Sequence, residues 1–251
     1  MSKTAVITGA SAGIGAATAV RLSREGFDVV LGARRLDRLR EVAAASGGTA
    51  HALDVSDPAS VEEFCSHVGE VDVLVNNAGM AAGLTPISEL SDEAADRMWS
   101  INVMGVLRMT RALLPKIEAS DAGHVVNVGS IAGFETYRGG GGYTASKHAL
   151  RAITQTLRLE LLGGPVRVSE ISPGLVETEF SLVRFGGDEV KARQPYAGIE
   201  PLTAEDIADC IAWAVTRPPH VDVDEIVVRP VAQARATEVA RRTSETQPSG
   251  S

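Results

Sequence analysis

Short apolar, β-branched runs alternate along this chain with longer stretches whose apolar positions recur every three or four residues. Thr4–Thr8 is the first such run; it is bounded by glycine and predicts a buried strand. Ile14–Glu25 follows with helical spacing and stops at Gly26. Val29–Ala33 and Thr49–Asp54 predict the next two strands, and the helix between them, Leu36–Ala45, ends near Gly47–Gly48. Asp57 and Pro58 then supply an N-cap and a first-turn proline for another helix. Val71–Asn76 reads as a fourth strand, Asp92–Leu113 as one long helix, and His124–Ser130 as a fifth strand. In the next helix, Tyr143–Leu162, Leu150, Ile153, Leu157 and Leu161 repeat at helical spacing. Val166–Ile171 is a sixth strand. Thr203–Thr216 opens with the capping-box pattern "TAED", and Glu225–Arg229 closes the series as a seventh strand.

This alternation predicts an α/β fold: a doubly wound parallel sheet of about seven strands with helices on both faces. Ligands of such sheets bind beyond the carboxyl ends of the strands, where the strand order reverses. No internal repeat or linker interrupts the pattern, so residues 1–233 are expected to form one domain. The polar stretch 234–251 is expected to be a disordered tail.

Composition narrows the function. The chain has 251 residues, and its formal net charge of −8 argues against a general nucleic-acid or anionic-membrane role. Cys65 and Cys210 are its two cysteines, too few for a disulfide framework, so a reducing compartment is the expectation. "MSKTAVITGA" runs directly into a strand without a signal-peptide apolar region, and no long apolar run follows; a soluble cytoplasmic protein is expected. Cys65 and His67 are close in sequence but not on one helical face, so no metal site is expected.

The candidate chemistry lies at the strand ends. "TGASAGIG", Thr8–Gly15, follows the first strand and opens a helix. Gly9, Gly13 and Gly15 permit a tight turn and close approach to a phosphate, and the helix start offers free N–H groups. Its spacing is not the commoner G-x-G-x-x-G, and a glycine-rich loop can also serve packing alone. "NNAG", Asn76–Gly79, ends the fourth strand and suits either a ligand crevice or a plain turn. Asp54 could accept a hydrogen bond from an adenine amine or cap the next turn. Ser130 ends the fifth strand. Tyr143 and Lys147 lie one helical turn apart after four glycines, where a phenol beside an ammonium can exchange a proton or form an ordinary helix face.

These motifs together resemble the short-chain dehydrogenase/reductase family, in its compact single-domain, Rossmann-type branch. The resemblance rests on "TGASAGIG" (8–15), "NNAG" (76–79), Asn102, Ser130, "YTASK" (143–147) and "PGLVET" (173–178), and covers about residues 3 to 230. It implies an oxidoreductase that interconverts a secondary alcohol and a carbonyl by hydride transfer. Tyr143 would be the general acid/base, and Lys147 would favour its phenolate and hold the nicotinamide ribose. Ser130 would bind the reacting oxygen, and Asn102 would order a water linking Lys147 to solvent. Ser11, Ile14, Val55, Asn77, Ala78 and Gly79 would join the glycines around the cofactor, while Pro173, Gly174, Val176 and Thr178 would border the nicotinamide. The segment "EDIADCIAWAVTRPPHVDVDEIVVRP" resembles members that act on small hydroxy acids, serine dehydrogenases among them, and clavulanate-type reductases.

The second strand ends at Ala33 where an NAD enzyme typically carries an acidic residue. Arg34 and Arg35 follow, and an arginine fork suits the 2′-phosphate of NADP. Arg38 and Arg40 read as a solvated helix start. Residues 179–201 are expected to be a substrate lid: Phe180, Phe185 and Tyr196 would supply apolar walls, and Arg184, Lys191 or Arg193 either attract a carboxylate or are solvated surface charge. Gly139 to Gly142 would form an open opposite wall. By the same resemblance, the helices 92–113 and 143–162 would pair between subunits in a homodimer or homotetramer. A non-catalytic NADP-binding sensor or scaffold is the competing class; the joint presence of Asn102, Ser130, Tyr143 and Lys147 argues against it.

Overall fold

The computed structural model describes residues 2–242. Seven parallel strands form one sheet: β1 (Thr4–Thr8), β2 (Asp28–Ala33), β3 (Thr49–Ala52), β4 (Val73–Asn76), β5 (His124–Val128), β6 (Arg167–Pro173) and β7 (Glu225–Val228). Their order is β3-β2-β1-β4-β5-β6-β7. The chain builds outward from β1 to β3, returns to the centre, and continues from β4 to β7. The order therefore reverses between β1 and β4, whose register pairs Val6 with Leu74 and Ile7 with Val75. A crevice opens there beyond the carboxyl ends.

Successive side chains of a strand face opposite ways, so each central strand feeds two cores. Ala5 and Ile7 point to one face, where Leu22 of α1 (Gly13–Arg24), Leu39 of α2 (Leu36–Ser46) and Ile207 and Ile211 of α9 (Ala204–Val215) are buried. Val6 and Leu74 point to the other, against Phe64 of α3 (Pro58–Ser66) and Met109, Leu113 and Ile117 of α5 (Val106–Glu118). The caps expected at Asp57 and Thr203 form: Asp57 accepts from Ala59 N at 3.0 Å, and Thr203 and Asp206 close a capping box.

Several boundaries differ from the sequence expectation. β3 stops at Ala52, so Asp54 lies beyond it, and β5 stops at Val128, leaving Ser130 outside the sheet. The long helix is not uniform: α4 (Asp92–Trp99) passes through a π-helical turn, Ser100–Gly105, into α5. It also runs past Leu113 through Pro115 to Glu118, because Leu113 and Ile117 are both buried against the sheet and hold its last turns. The segment 179–201 contains two short helices, α7 (Glu179–Arg184) and α8 (Glu189–Arg193), capped by Thr178 and Asp188.

Residues 234–242, expected within a disordered tail, are tied to the body instead. Gln233 and Val239 form an antiparallel bridge, Ala240 N donates to Ala232 O at 2.8 Å, and Arg242 N donates to Gly198 O at 2.8 Å. Glu135, seven residues beyond the end of β5, accepts from Ala236 N at 2.6 Å, an anchor that local sequence does not disclose. Residues 243–251 of that expected tail lie outside the described residues. Among the described residues, no helix is long and apolar enough to cross a membrane.

One buried group gives the fold a pH dependence. His124 on β5 is fully buried, with Nε2 2.8 Å from Ser169 Oγ and Nδ1 without a partner among the described residues. Burial, aided by the Arg167 charge, pushes its pKa down to about 3. The folded state therefore holds it neutral, while the unfolded chain takes up a proton below pH about 6.5. Its contribution to stability is complete above that value and is lost as pH falls toward 3, at about 1.4 kcal/mol per pH unit. Denaturant midpoints at pH 7 and pH 4.5 test this: the wild-type midpoint should fall more than that of His124→Gln. Equal falls would contradict the assignment.

Candidate active site

The loop after β1 is shaped by close packing. A Cβ at Gly15 would lie 2.5 Å from Asn77 Nδ2 and 2.6 Å from Gly9 O, so only glycine fits. Asn77 holds this arrangement from β4's end, donating from Nδ2 to Thr8 O at 2.9 Å and from its backbone N–H to Thr8 Oγ1 at 3.0 Å. Thr8 thereby couples the two strands at the switch point, a role not read from its sequence position. Helix α1 starts at Gly13 with Ala12 as a cap that offers no side-chain acceptor, and no acidic residue lies in its first turn. Its leading N–H groups suit an external anion, as a dinucleotide pyrophosphate requires.

A cavity of about 710 Å³ runs along this edge. Gly9, Ser11, Gly13, Ile14, Asn77, Ala78 and Gly79 line its centre. Arg34, Arg35, Asp54 and Val55 line one end; Ser130, Tyr143, Lys147, Pro173, Gly174, Val176 and Thr178 line the other. Of the residues expected at the site, Gly15 and Asn102 alone stand off its wall. Thr178 packs over Gly13, where an added Cβ would sit 3.2 Å from it, and caps α7 through Phe180 N at 3.3 Å.

The Arg34–Arg35 end fits a phosphate-bearing ribose. Arg35 reaches Ser11 Oγ at 3.2 and 3.3 Å and pairs with Glu179 at 2.8 Å. Arg38, expected to be solvated, also pairs with Glu179, so this acid gathers two guanidiniums at the cavity rim. Arg34 is exposed and forms no ion pair among the described residues. Asp54 accepts from Ser56 N at 2.9 Å and Ser56 Oγ at 2.6 Å, so it caps its turn while also lining the cavity. Burial alone would raise its pKa, but the Ser56 bonds and the Arg34 charge outweigh it and the net shift is downward.

Tyr143 and Lys147 lie on α6 (Gly141–Glu160), one turn apart, with Lys147 Nζ 6.0 Å from the Tyr143 ring centroid. Lys147 is buried and donates to Val128 O at 2.8 Å. Desolvation pulls its pKa down to about 8, against the opposing charge of Glu170. Burial pushes the Tyr143 phenol well above its ordinary range, and Tyr137 adds to this; the Ser130 hydrogen bond and the Arg184 charge oppose it. Ser130 Oγ accepts from Ala132 N at 3.1 Å and lies 3.5 Å from Pro173 O, a weak contact that leaves the hydroxyl available.

The Asn102 side chain is held by protein groups. Its Nδ2 group donates to Met80 O at 2.8 Å and Ser146 Oγ at 2.9 Å, while Oδ1 accepts from Met80 N at 2.8 Å. Both side-chain N–H donors are spent, so the amide braces β4's exit against α6, and a water ordered here would be held through the residue's oxygen acceptors. Ser146, adjacent to Lys147, is the partner that the sequence reading missed.

The four glycines do not form an open wall. A Cβ at Gly140 would meet the Tyr137 ring at 2.4 Å, and one at Gly142 would meet Met98 Cε at 2.3 Å. They let the chain enter α6 against close neighbours and do not line this cavity. Phe180, Phe185 and Tyr196 do line it, with Phe180 5.7 Å from the Tyr143 ring. Gln233 was also missed: it is buried, accepts from Leu175 N at 2.9 Å, and supports the loop that follows β6 from the distant end of the chain.

Comparison with known proteins adds to this geometry. Residues 3–184 match the short chain dehydrogenase family. An uncharacterized oxidoreductase of Mycobacterium tuberculosis is 54% identical over 235 residues, covering 94% of each chain. An NADP-dependent 3-hydroxy acid dehydrogenase of Schizosaccharomyces pombe is 41% identical, covering 96% of this chain and 97% of its own. The closed form of a serine dehydrogenase complexed with NADP+ superposes with a TM-score of 0.90 at 38% identity, over 96% of this chain and 100% of that one.

Proposed function

The chain belongs to the short chain dehydrogenase family and is an NADP-dependent oxidoreductase, and from that premise we propose that it interconverts a short 3-hydroxy acid and the corresponding 3-oxo acid. The observation that carries the reading is the meeting of Ser130, Tyr143 and Lys147 at one end of the switch-point cavity. The substrate class is supported by similarity to a 3-hydroxy acid dehydrogenase and a serine dehydrogenase, each matching most of this chain's length.

Bound NADP supplies the hydride donor or acceptor. The Tyr143 hydroxyl donates its proton to the carbonyl oxygen in reduction and takes it back in oxidation. Its raised pKa keeps it protonated at neutrality, as a donor requires. The Lys147 ammonium, when charged, stabilises the phenolate that remains. Ser130 hydrogen-bonds the same oxygen and fixes its distance from Tyr143. Asn102 holds Met80 and Ser146 so that the helix carrying both groups keeps its place. Residues 179–201 act as the lid, presenting Phe180, Phe185 and Tyr196 to the substrate and limiting access of water.

The test is a substrate panel followed by NADPH absorbance, with short 3-hydroxy acids beside neutral secondary alcohols of equal length. Preference for the acids supports the reading. Turnover of neutral alcohols alone would replace it with a general alcohol dehydrogenase or carbonyl reductase.

A two-fold assembly is also part of the proposal. Trp99 on α4 and Leu159 on α6 are exposed large apolar side chains on the helices expected to pair between subunits. Light scattering at micromolar concentration should give the mass of a dimer or tetramer. A monomer would remove the assembly.

A further inference from the structure

Helix α7 turns Arg184 inward. Its Nε donates to Gly83 O at 2.9 Å, and its own carbonyl accepts from Gly83 N at 2.8 Å. One Nη2 proton goes to Tyr137 Oη at 3.0 Å. These contacts fix the guanidinium between the lid and the loops that follow β4 and β5. Its Cζ lies 5.6 Å from the Tyr143 ring centroid, 5.6 Å from that of Tyr137 and 6.0 Å from that of Phe185.

The charge is not neutralised there. An arginine carries five N–H donors, and two side-chain bonds leave three. Among the described residues no carboxylate forms an ion pair with Arg184, although the neighbouring lid cations are paired: Lys191 with Asp188 and Arg193 with Glu189. Arg184 is half-buried and lines the cavity beside Tyr143. Arg138 lines the cavity too, but it is exposed, and no side-chain bond fixes it among the described residues. A half-buried, oriented and unpaired guanidinium beside the proton donor is a receptor for a planar anion.

Resting on the hydroxy-acid reading above, we propose that Arg184 is the specificity-determining residue that binds the substrate carboxylate through its free N–H groups while Tyr143 holds the reacting oxygen. Because the same guanidinium tethers the lid to Gly83 and Tyr137, the carboxylate is recognised by the segment that covers it. The closeness of Arg184 to Tyr143 limits the acid to one whose carboxylate is separated from the reacting carbon by a short spacer. Long-chain acids with a distant carboxylate do not meet both groups.

The probe is butyrate against its uncharged analogue butanamide, each titrated into the NADP+ holoenzyme by ligand-observed NMR. A charge-assisted bond lost to a neutral partner corresponds to roughly 10- to 150-fold in affinity. Wild type should therefore bind butyrate at least about 10-fold tighter than butanamide. Arg184→Gln should bind the two alike with NADP+ affinity unchanged, and Arg184→Lys should fall between, since it keeps the charge but loses the fork. If the glutamine variant does not fold, the lysine variant and Tyr137→Phe, which frees the Nη2 tether, carry the comparison. A purely structural lid anchor would weaken both probes equally and overturn the proposal, as would a wild type without preference for butyrate. A wild type that prefers butyrate but oxidises no hydroxy acid would leave the anion site standing and defeat the substrate assignment instead.

Discussion

Tyr143→Phe should lower turnover by about 10²–10⁴-fold while NADPH binding stays at its wild-type level. The substitution removes one oxygen and keeps the ring, so the 5.7 Å packing against Phe180 persists. What disappears is the proposed proton donor to the substrate oxygen: among the described residues beside it, Ser130 can hydrogen-bond but its hydroxyl is a poor acid, and Lys147 is turned to Val128 O. The loss should fall on kcat and kcat/KM alike, because the proton moves in the transition state. Single-turnover kinetics with fluorescence-detected NADPH binding separate the two quantities. A variant with wild-type turnover would remove Tyr143 from the chemistry.

The second large effect concerns cofactor choice. Arg34→Ala should weaken NADPH binding by roughly 10- to 150-fold and leave NADH binding nearly unchanged, since each charge-assisted bond is worth about 1.5–3 kcal/mol. Arg34 is exposed at the cavity rim and forms no ion pair among the described residues, so its charge is available to a 2′-phosphate. Arg35 starts from a different state. It is already paired with Glu179 and bonded to Ser11, and a phosphate must share or displace those contacts. Arg35→Ala should therefore cost less than Arg34→Ala, and the double variant should bind the two cofactors within about an order of magnitude of each other. Calorimetric titration of both cofactors into each variant measures this. Equal losses for NADPH and NADH would take the arginines out of the phosphate site.

Much of this site is legible before any coordinates, for a physical reason. Parallel sheets bring all strand ends to one edge, so residues that are distant in sequence but follow strands become neighbours. Gly9, Asn77, Ser130 and Pro173 each follow or close a strand, and all four line one cavity. Tyr143 and Lys147 needed only the period of a helix. The less legible parts depend on contacts that local pattern does not encode. Asn102 falls in a π-helical turn, which no apolar spacing announces, and its amide is consumed by a backbone segment twenty-two residues away. The glycines at 139–142 look like an opening in sequence; whether missing side chains leave space or admit neighbours depends on Met98 and Tyr137, which fill it. Residues 234–242 have the polar composition of a tail, yet the Gln233 backbone, Glu135 and Gly198 supply partners that hold them. Arg184 could be named as a cation of the lid but not separated from Lys191 and Arg193 until their acidic partners were seen.

Isotope transfer tests the central claim most directly. NADPH carrying deuterium at both hydrogen positions of the transferring carbon is supplied with a short 3-oxo acid, and the hydroxy acid formed is weighed by mass spectrometry. Direct hydride transfer at this site predicts one deuterium per product molecule, fixed on the carbinol carbon, with its appearance slowed by about 10²–10⁴-fold in Tyr143→Phe. Product that forms at the wild-type rate without cofactor deuterium, or that carries it equally fast in the phenylalanine variant, would contradict the account.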